Sequence, residues 1–272
     1  MQIIKVPGIN GLGKTSGCER AGNVILSCLK DEIFSNSAQK EIEFSKLDLE
    51  EIHLDNSNLE ITSELVYRNS LEAFQNQEKV IFLGGDHSIS YNLVKGFVSY
   101  CKSIKKEPCL IVFDAHPDLM PPVKNAEDFP THEEWLRGLL DKKLISPPNI
   151  LLVGIRNSDK EELRVIKEKK IRVITMNQLQ ENLEETCELI MEFADKKELY
   201  LSLDIDVVDP VFAPATGYLE PGGLTSREFL YILSRISKMK NLKGVDIVEV
   251  NEKKDTEHKT VKLSAKALAE FI

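Results

Sequence analysis

The 272-residue sequence predicts an α/β fold, with a mostly parallel sheet of about eight strands covered by helices on both faces. Two observations carry this expectation. Short apolar runs alternate with longer amphipathic segments along the whole chain, which is the signature of repeated strand–helix–strand units. In addition, no internal repeat, low-complexity tract or linker divides the chain, so one domain spanning 1–272 is expected.

The elements follow in order. Gln2–Val6 reads as a strand entering a glycine-rich turn. Glu41–Leu47, Val80–Leu83, Cys109–Phe113 and Ile150–Ile155 are the next candidate strands, followed by Ile171–Thr175, Leu199–Leu203 and Val245–Val248. Between them lie helical patterns. Gln178–Lys196 repeats apolar residues at intervals of three and four (Leu179, Leu183, Cys187, Ile190, Met191, Ala194), and Ser226–Lys238 and Lys259–Phe271 do the same. The long irregular stretch is Pro117–Thr131, with prolines at 121, 122 and 130. A loop of that length inside a compact fold is commonly functional.

Composition narrows the function classes. An apolar fraction of 42% and a charged fraction of 29% are those of an ordinary globular protein. The formal charge of −9 argues against nucleic acid as the main partner, because phosphate binding needs a basic face. It is compatible with small cations. No apolar run is long enough to span a membrane, and the N-terminus has no signal-peptide core. The five cysteines, at 18, 28, 101, 109 and 187, form no CxxC pair and are odd in number. Reduced thiols in a cytoplasmic protein are the expectation.

Three clusters of acidic and histidine residues sit where apolar strands stop. Gly84-Gly85-Asp86-His87-Ser88 follows VIFL, Asp114-Ala115-His116-Pro117-Asp118 follows CLIVF, and Asp204-Ile205-Asp206 follows LYLSL. In a parallel sheet these are the carboxyl ends, where open α/β sheets place their ligands. Asp114, His116 and Asp118 are two apart, as are Asp204 and Asp206, so extended backbone would project each set one way. Four bare carboxylates side by side repel and raise one another's pKa values. Two divalent cations would neutralise them, with two imidazoles completing the shells. This oxygen-rich set suits Mn²⁺ better than thiolate-rich zinc sites do, although ligand type alone leaves iron, cobalt and nickel open. A single cluster of this kind is often only a capped strand end; three at three strand ends point to a site.

These clusters resemble the arginase–agmatinase (ureohydrolase) family. GGDHS, DAHPD and SLDIDVVDPVFAPATG match its signatures in order, the likeness continues through EPGGLTSREFLYI and DIVEVN, and a weaker echo lies at Ser16–Ile25. The resemblance implies a three-layer α/β/α fold and a binuclear manganese hydrolase that splits a guanidino compound into urea and an amine. It implies that His87, Asp114, Asp118 and Asp204 hold one Mn²⁺ and that Asp114, His116, Asp204 and Asp206 hold the other. Asp118 would also orient the attacking water. Glu249 resembles the carboxylate that clasps the guanidinium, whose fork of N–H donors a carboxylate answers in two-pronged fashion. His132, expected to open a helix, resembles the histidine that protonates the leaving amine. The resemblance also implies a homo-oligomer, a trimer or hexamer.

Substrate choice turns on departures from the family pattern. Tyr218 stands where a small hydroxyl residue is usual, and would narrow or cover the pocket. The loop after Asp118 lacks the asparagine that arginases use to hold the substrate carboxylate, leaving Lys124 and Asn125 as the candidates for that group. Asp159 lies where arginases bind the substrate's α-amino group. L-Arginine is the expected substrate, with agmatine or another guanidino or formimidoyl compound as the alternative. A zinc amidohydrolase of related fold would use one ion and fewer ligands. A more distant alternative is a nucleotide hydrolase, because Gly8–Thr15 satisfies GxxxxGK[ST] after a strand. Gly17 and Gly22 make a poor start for the helix that a P-loop requires, so this loop is expected only to border the site.

Overall fold

The structure, a computed structural model, describes residues 1–11, 13–123 and 128–272. The strands are β1 (Gln2–Val6), β2 (Asp48–Glu51), β3 (Val80–Gly84), β4 (Pro108–Phe113), β5 (Ile150–Ile155), β6 (Arg172–Thr175), β7 (Glu198–Asp204) and β8 (Leu242–Val248). They form an eight-stranded sheet in the order β2-β1-β3-β8-β7-β4-β5-β6, with every pairing parallel. The helices are α1 (Ala21–Glu32), α2 (Leu59–Asn76), α3 (Ile89–Ser103), α4 (Trp135–Asp141), α5 (Lys160–Lys169), α6 (Met176–Glu181), α7 (Leu183–Phe193), α8 (Ser226–Ile236) and α9 (Lys259–Ala269).

The central strands alternate side chains between two cores. Ile81, Leu83, Cys109, Ile111 and Phe113 face α1 and α6–α9, whereas Val80, Phe82, Leu110 and Val112 face α2–α5. Both faces are covered, which is why these strands read as unbroken apolar runs. The three-layer α/β/α fold expected from the sequence is present. All five cysteines are buried and unpaired with one another. Among the described residues no helix is long and apolar enough to cross a membrane.

Three expectations need correction. β2 lies at Asp48–Glu51, not Glu41–Leu47. Ile42, Phe44 and Leu47 instead pack their apolar side chains against the helix-covered core, while the charged DLEE segment pairs with β1 as an exposed edge. The pattern over Gln178–Lys196 is two helices, because Asn182 leaves helical geometry (φ −153°) and its side chain caps α7 by accepting from Glu185 N. His132 does not open a helix: it lies in a turn, and α4 begins at Trp135.

The P-loop reading also fails on geometry. α1 starts only at Ala21, after a 3-10 turn over Cys18–Arg20. Gly17 has φ +118°, and a Cβ there would lie 2.2 Å from Asn251 Oδ1, so this glycine serves a close approach to the segment after β8.

Candidate metal centre

The register of the four central strands brings the three clusters level. Leu83 and Leu203 both flank Ile247, Phe113 lies beside Leu203, and Asp204 lies beside Val248. The ends of β3, β8, β7 and β4 therefore project His87, Glu249, Asp204 and Asp114 into one crest.

Two sets of side chains meet there. His87 Nδ1 is 3.1 Å from Asp114 Oδ2, 3.0 Å from Asp118 Oδ2 and 3.3 Å from Asp204 Oδ2. His116 Nδ1 is 2.9 Å from Asp206 Oδ2 and 3.5 Å from Asp114 Oδ1. Asp114 thus offers one oxygen to each set. His87, Asp114 and Asp204, and separately Asp114, His116 and Asp206, each converge ligand atoms within 4.8 Å of one another. Asp204 Oδ1 accepts from Asp206 N, at 2.8 Å.

The donor set fits divalent cations. His87 Nδ1 and Asp114 Oδ2 are buried and make no hydrogen bond among the described residues. Burial, and then the charge of Asp114, pushes the Asp118 carboxyl up to about 7. Asp204 is held well above the usual carboxylate range by burial first and by Asp206 and Asp114 next. Burial works against protonated His87, but Asp114, Asp118 and Asp204 outweigh it and hold that imidazole well above its ordinary value. A cavity wall of mutually repelling carboxylates is what a cation relieves.

Both imidazoles are oriented from behind. His87 Nε2 lies 2.9 Å from Ser202 Oγ, which donates to Asp246 Oδ1 at 2.7 Å. Because the serine hydroxyl is committed to Asp246, it can only accept from His87, so Nε2 carries a proton and Nδ1 is the nitrogen left to ligate a cation. His116 Nε2 faces Glu220 Oε1 at 3.3 Å, with the same consequence. Asn157 Nδ2 donates to that Glu220 oxygen at 2.7 Å. Arg156 holds the Glu220 segment by donating to the carbonyls of Asp206, Val207, Glu220 and Pro221.

Asp118 has φ +52°, a left-handed conformation uncommon for a non-glycine residue. Its Oδ2 accepts from Trp135 Nε1 at 2.7 Å, and Glu162 Oε1 accepts from the next amide, Leu119 N, at 2.9 Å. Glu249 also has positive φ, +63°. It is 3% exposed, and its Oε1 accepts from His87 N at 2.9 Å. Burial, and then the charge of Asp86, holds its carboxyl well above the usual range. A buried carboxylate at a cavity wall is a receptor for a planar cation.

The cavity over the crest measures about 360 Å³. Its lining includes His87, His116, Asp118, Asp204, Asp206 and Glu249, together with His132, Tyr218 and Asp159. His132 is 5% exposed, not a surface histidine, and among the described residues neither ring nitrogen has a hydrogen-bond partner. Tyr218 stacks on it at 6.2 Å, with 16° between the rings, and meets His116 edge-on at 5.7 Å. Asp159 is exposed at the cavity and caps α5, accepting from Glu161 N at 2.8 Å. Lys124 and Asn125 lie outside the described residues. Ser202, Asp246, Glu220, Asn157 and Trp135 were not singled out from the sequence. Asp246 left one legible trace, a charge inside the apolar run GVDIV.

A family model described as "Arginase family" matches residues 1–272. The chain belongs to the arginase family. An arginase of Staphylococcus aureus (strain MRSA252) is 29% identical to this arginase-family chain over 254 residues, which is 85% of the chain and 82% of that relative. An arginase of Schizosaccharomyces pombe is 30% identical over 197 residues, 65% of this chain, so the chain spans 58% of that relative's length. Formimidoylglutamase from Bacillus subtilis superposes with a TM-score of 0.87 at 25% identity, covering 99% of this chain and 85% of that one. Entamoeba histolytica arginase in complex with L-ornithine gives a TM-score of 0.82 at 26% identity, covering 100% and 99%.

Proposed function

We propose that this chain is a binuclear manganese ureohydrolase that converts L-arginine to L-ornithine and urea. The observation that carries the reading is the pair of clusters sharing Asp114, buried but for the half-buried His116, with Glu249 lining the same cavity. His87, Asp114, Asp118 and Asp204 would hold one Mn²⁺, and Asp114, His116, Asp204 and Asp206 would hold the other. Such a pair of ions supplies Lewis acidity that lets water act as a nucleophile at neutral pH.

The side chains divide the remaining work. Glu249 clasps the guanidinium and sets its carbon over the crest. Its side chain lines the cavity. Asp118 accepts a hydrogen bond from the attacking water and orients it. As water adds to the guanidinium carbon, the bond to the alkyl nitrogen breaks, and that nitrogen needs a proton to leave as a neutral amine. His132 supplies it. Burial lowers the affinity of this imidazole for its proton, which favours release at neutral pH. Tyr218 covers the outer face of His132 and narrows the entrance. Asp159 in the cavity lining attracts the substrate's amino group.

One observation favours agmatine as a second reading. Beyond the two clusters the cavity lining carries Glu133, Asp159 and Glu220, and among the described lining residues there is no lysine or arginine. That field suits a tail bearing only an amine. The test is product analysis with Mn²⁺ over L-arginine, agmatine, guanidinobutyrate and formimidoylglutamate. Urea with ornithine is expected. Faster release from agmatine would move the substrate within the class. Neither urea nor formamide from any of the four would sink the proposal.

A further inference from the structure

The segment between β1 and α1 touches residues that line the cavity, and two of its side chains do more than touch them. Its base is anchored beside the crest: Asn10 N and Thr15 Oγ1 both donate to Asp86 Oδ2, each at 2.7 Å, one residue before His87. From that base, Asn10 Nδ2 reaches across to the carbonyls of Phe129 (2.9 Å) and Pro130 (3.2 Å). Lys14 Nζ donates to Glu133 Oε1 at 3.2 Å and to the Tyr218 hydroxyl. The same hydroxyl donates to Glu133 Oε1 at 2.7 Å, which closes a three-membered ring of contacts.

His132 lies between these attachments. Residues 129, 130 and 133 are tied to the N-terminal segment, and the outer face of the imidazole is covered by a tyrosine tied to the same segment. Among the described residues the imidazole itself makes no hydrogen bond, and the carboxylate oxygen beside it, Glu133 Oε1, is 3.8 Å from Nε2. A ring without bonds of its own is placed by its backbone and by what stacks on it.

We propose that Asn10 and Lys14 are positioning residues, a two-point brace that holds His132 and Tyr218 at the cavity for proton delivery to the leaving amine. This rests on the ureohydrolase reading above. It assigns to Lys14, otherwise the lysine of a phosphate-loop pattern, a role in the hydrolytic site. A displaced proton donor penalises a strongly basic leaving amine and spares a weakly basic one. The readout is therefore leaving-group dependence, which loss of structure alone would not produce.

The experiment compares Lys14→Met, Lys14→Arg and Asn10→Ala with wild type, each loaded with Mn²⁺. The substrates are a guanidinoalkyl compound and its near-isosteric guanidinooxy analogue, whose leaving alkoxyamine is a far weaker base. Lys14→Met and Asn10→Ala are expected to lower kcat for the alkyl substrate about tenfold or more and for the oxy analogue less than about threefold, with KM little changed. Lys14→Arg, which keeps a charged donor, is expected to recover most of the loss. Equal losses on both substrates, or no loss on either, would overturn the brace. Turnover of neither substrate by wild type would overturn the ureohydrolase reading and the brace with it.

Discussion

Ser202→Ala probes how the metal centre is organised, because it removes one hydroxyl and touches no proposed ligand. Ser202 is fully buried, accepts from His87 Nε2 at 2.9 Å and donates to Asp246 Oδ1 at 2.7 Å. Asp246 loses little, since Ser90 Oγ and Tyr200 OH still donate to its other oxygen, each at 2.8 Å. The loss falls on His87, whose Nε2–H is left buried without an acceptor, at a cost of about 1–3 kcal/mol. The imidazole then has no acceptor that fixes a proton on Nε2, and Nδ1, the nitrogen beside Asp114, Asp118 and Asp204, is no longer enforced as the one that takes the cation. Residues that orient a metal-bound histidine typically contribute about 10–100-fold to metal affinity. That range corresponds to about 1.4–2.7 kcal/mol, which matches the cost of the orphaned N–H. Calorimetric titration of metal-free protein with Mn²⁺ measures it. The expected result is one site weakened by that factor and the second, at His116, unchanged within about threefold. Two sites of wild-type affinity, with only the thermal midpoint lowered, would refute the tautomer argument and leave Ser202 a packing residue.

Other outcomes follow from the same geometry. Because Asp114 offers an oxygen to each set, Asp114→Asn should empty both sites, whereas His116→Asn should leave the site at His87 filled; metal analysis after gel filtration distinguishes them. Glu249→Gln keeps the shape but removes the charge that meets the guanidinium, so bound metal should stay at two ions while kcat/KM for arginine falls by about 100-fold, in line with about 1.5–3 kcal/mol for a charged hydrogen bond. Cys101 and Cys109 are pushed up to about 12 by burial, and all five thiols are buried. A thiol reagent should therefore label native protein slowly and reach five equivalents only after unfolding.

The central part of this fold was legible because its physics is local. β5 falls on the expected residues Ile150–Ile155, since a strand buried along its whole length leaves an unbroken apolar run, and β1 falls on Gln2–Val6 through its buried Ile3, Ile4 and Val6. β2 did not, because its residues are chosen by pairing with β1 at an exposed edge, and DLEE carries no apolar signal. The break at Asn182 was hidden because a capping side chain interrupts the backbone without interrupting the apolar period. The proposed ligands stood out as combs of aspartate and histidine at strand ends. Their supports did not. Ser202 and Asp246 lie on neighbouring strands and meet only once β7 and β8 are in register. Glu220 reaches His116 through a loop that Arg156 pins by main-chain contacts, and Trp135 reaches Asp118 from a helix start that the sequence pattern placed elsewhere. Lys14 drew attention for a phosphate-loop pattern, whereas its partners, Glu133 and Tyr218, are distant in sequence.

The central claim is that two cations sit on either side of the Asp114 carboxylate. An anomalous-scattering map from crystals grown with saturating Mn²⁺ tests it most directly. The account predicts two peaks per chain, about 3.5–4 Å apart, one beside His87 Nδ1 and the other beside His116 Nδ1, with Glu249 facing both across the cavity. A single peak, or none at these nitrogens, would contradict it.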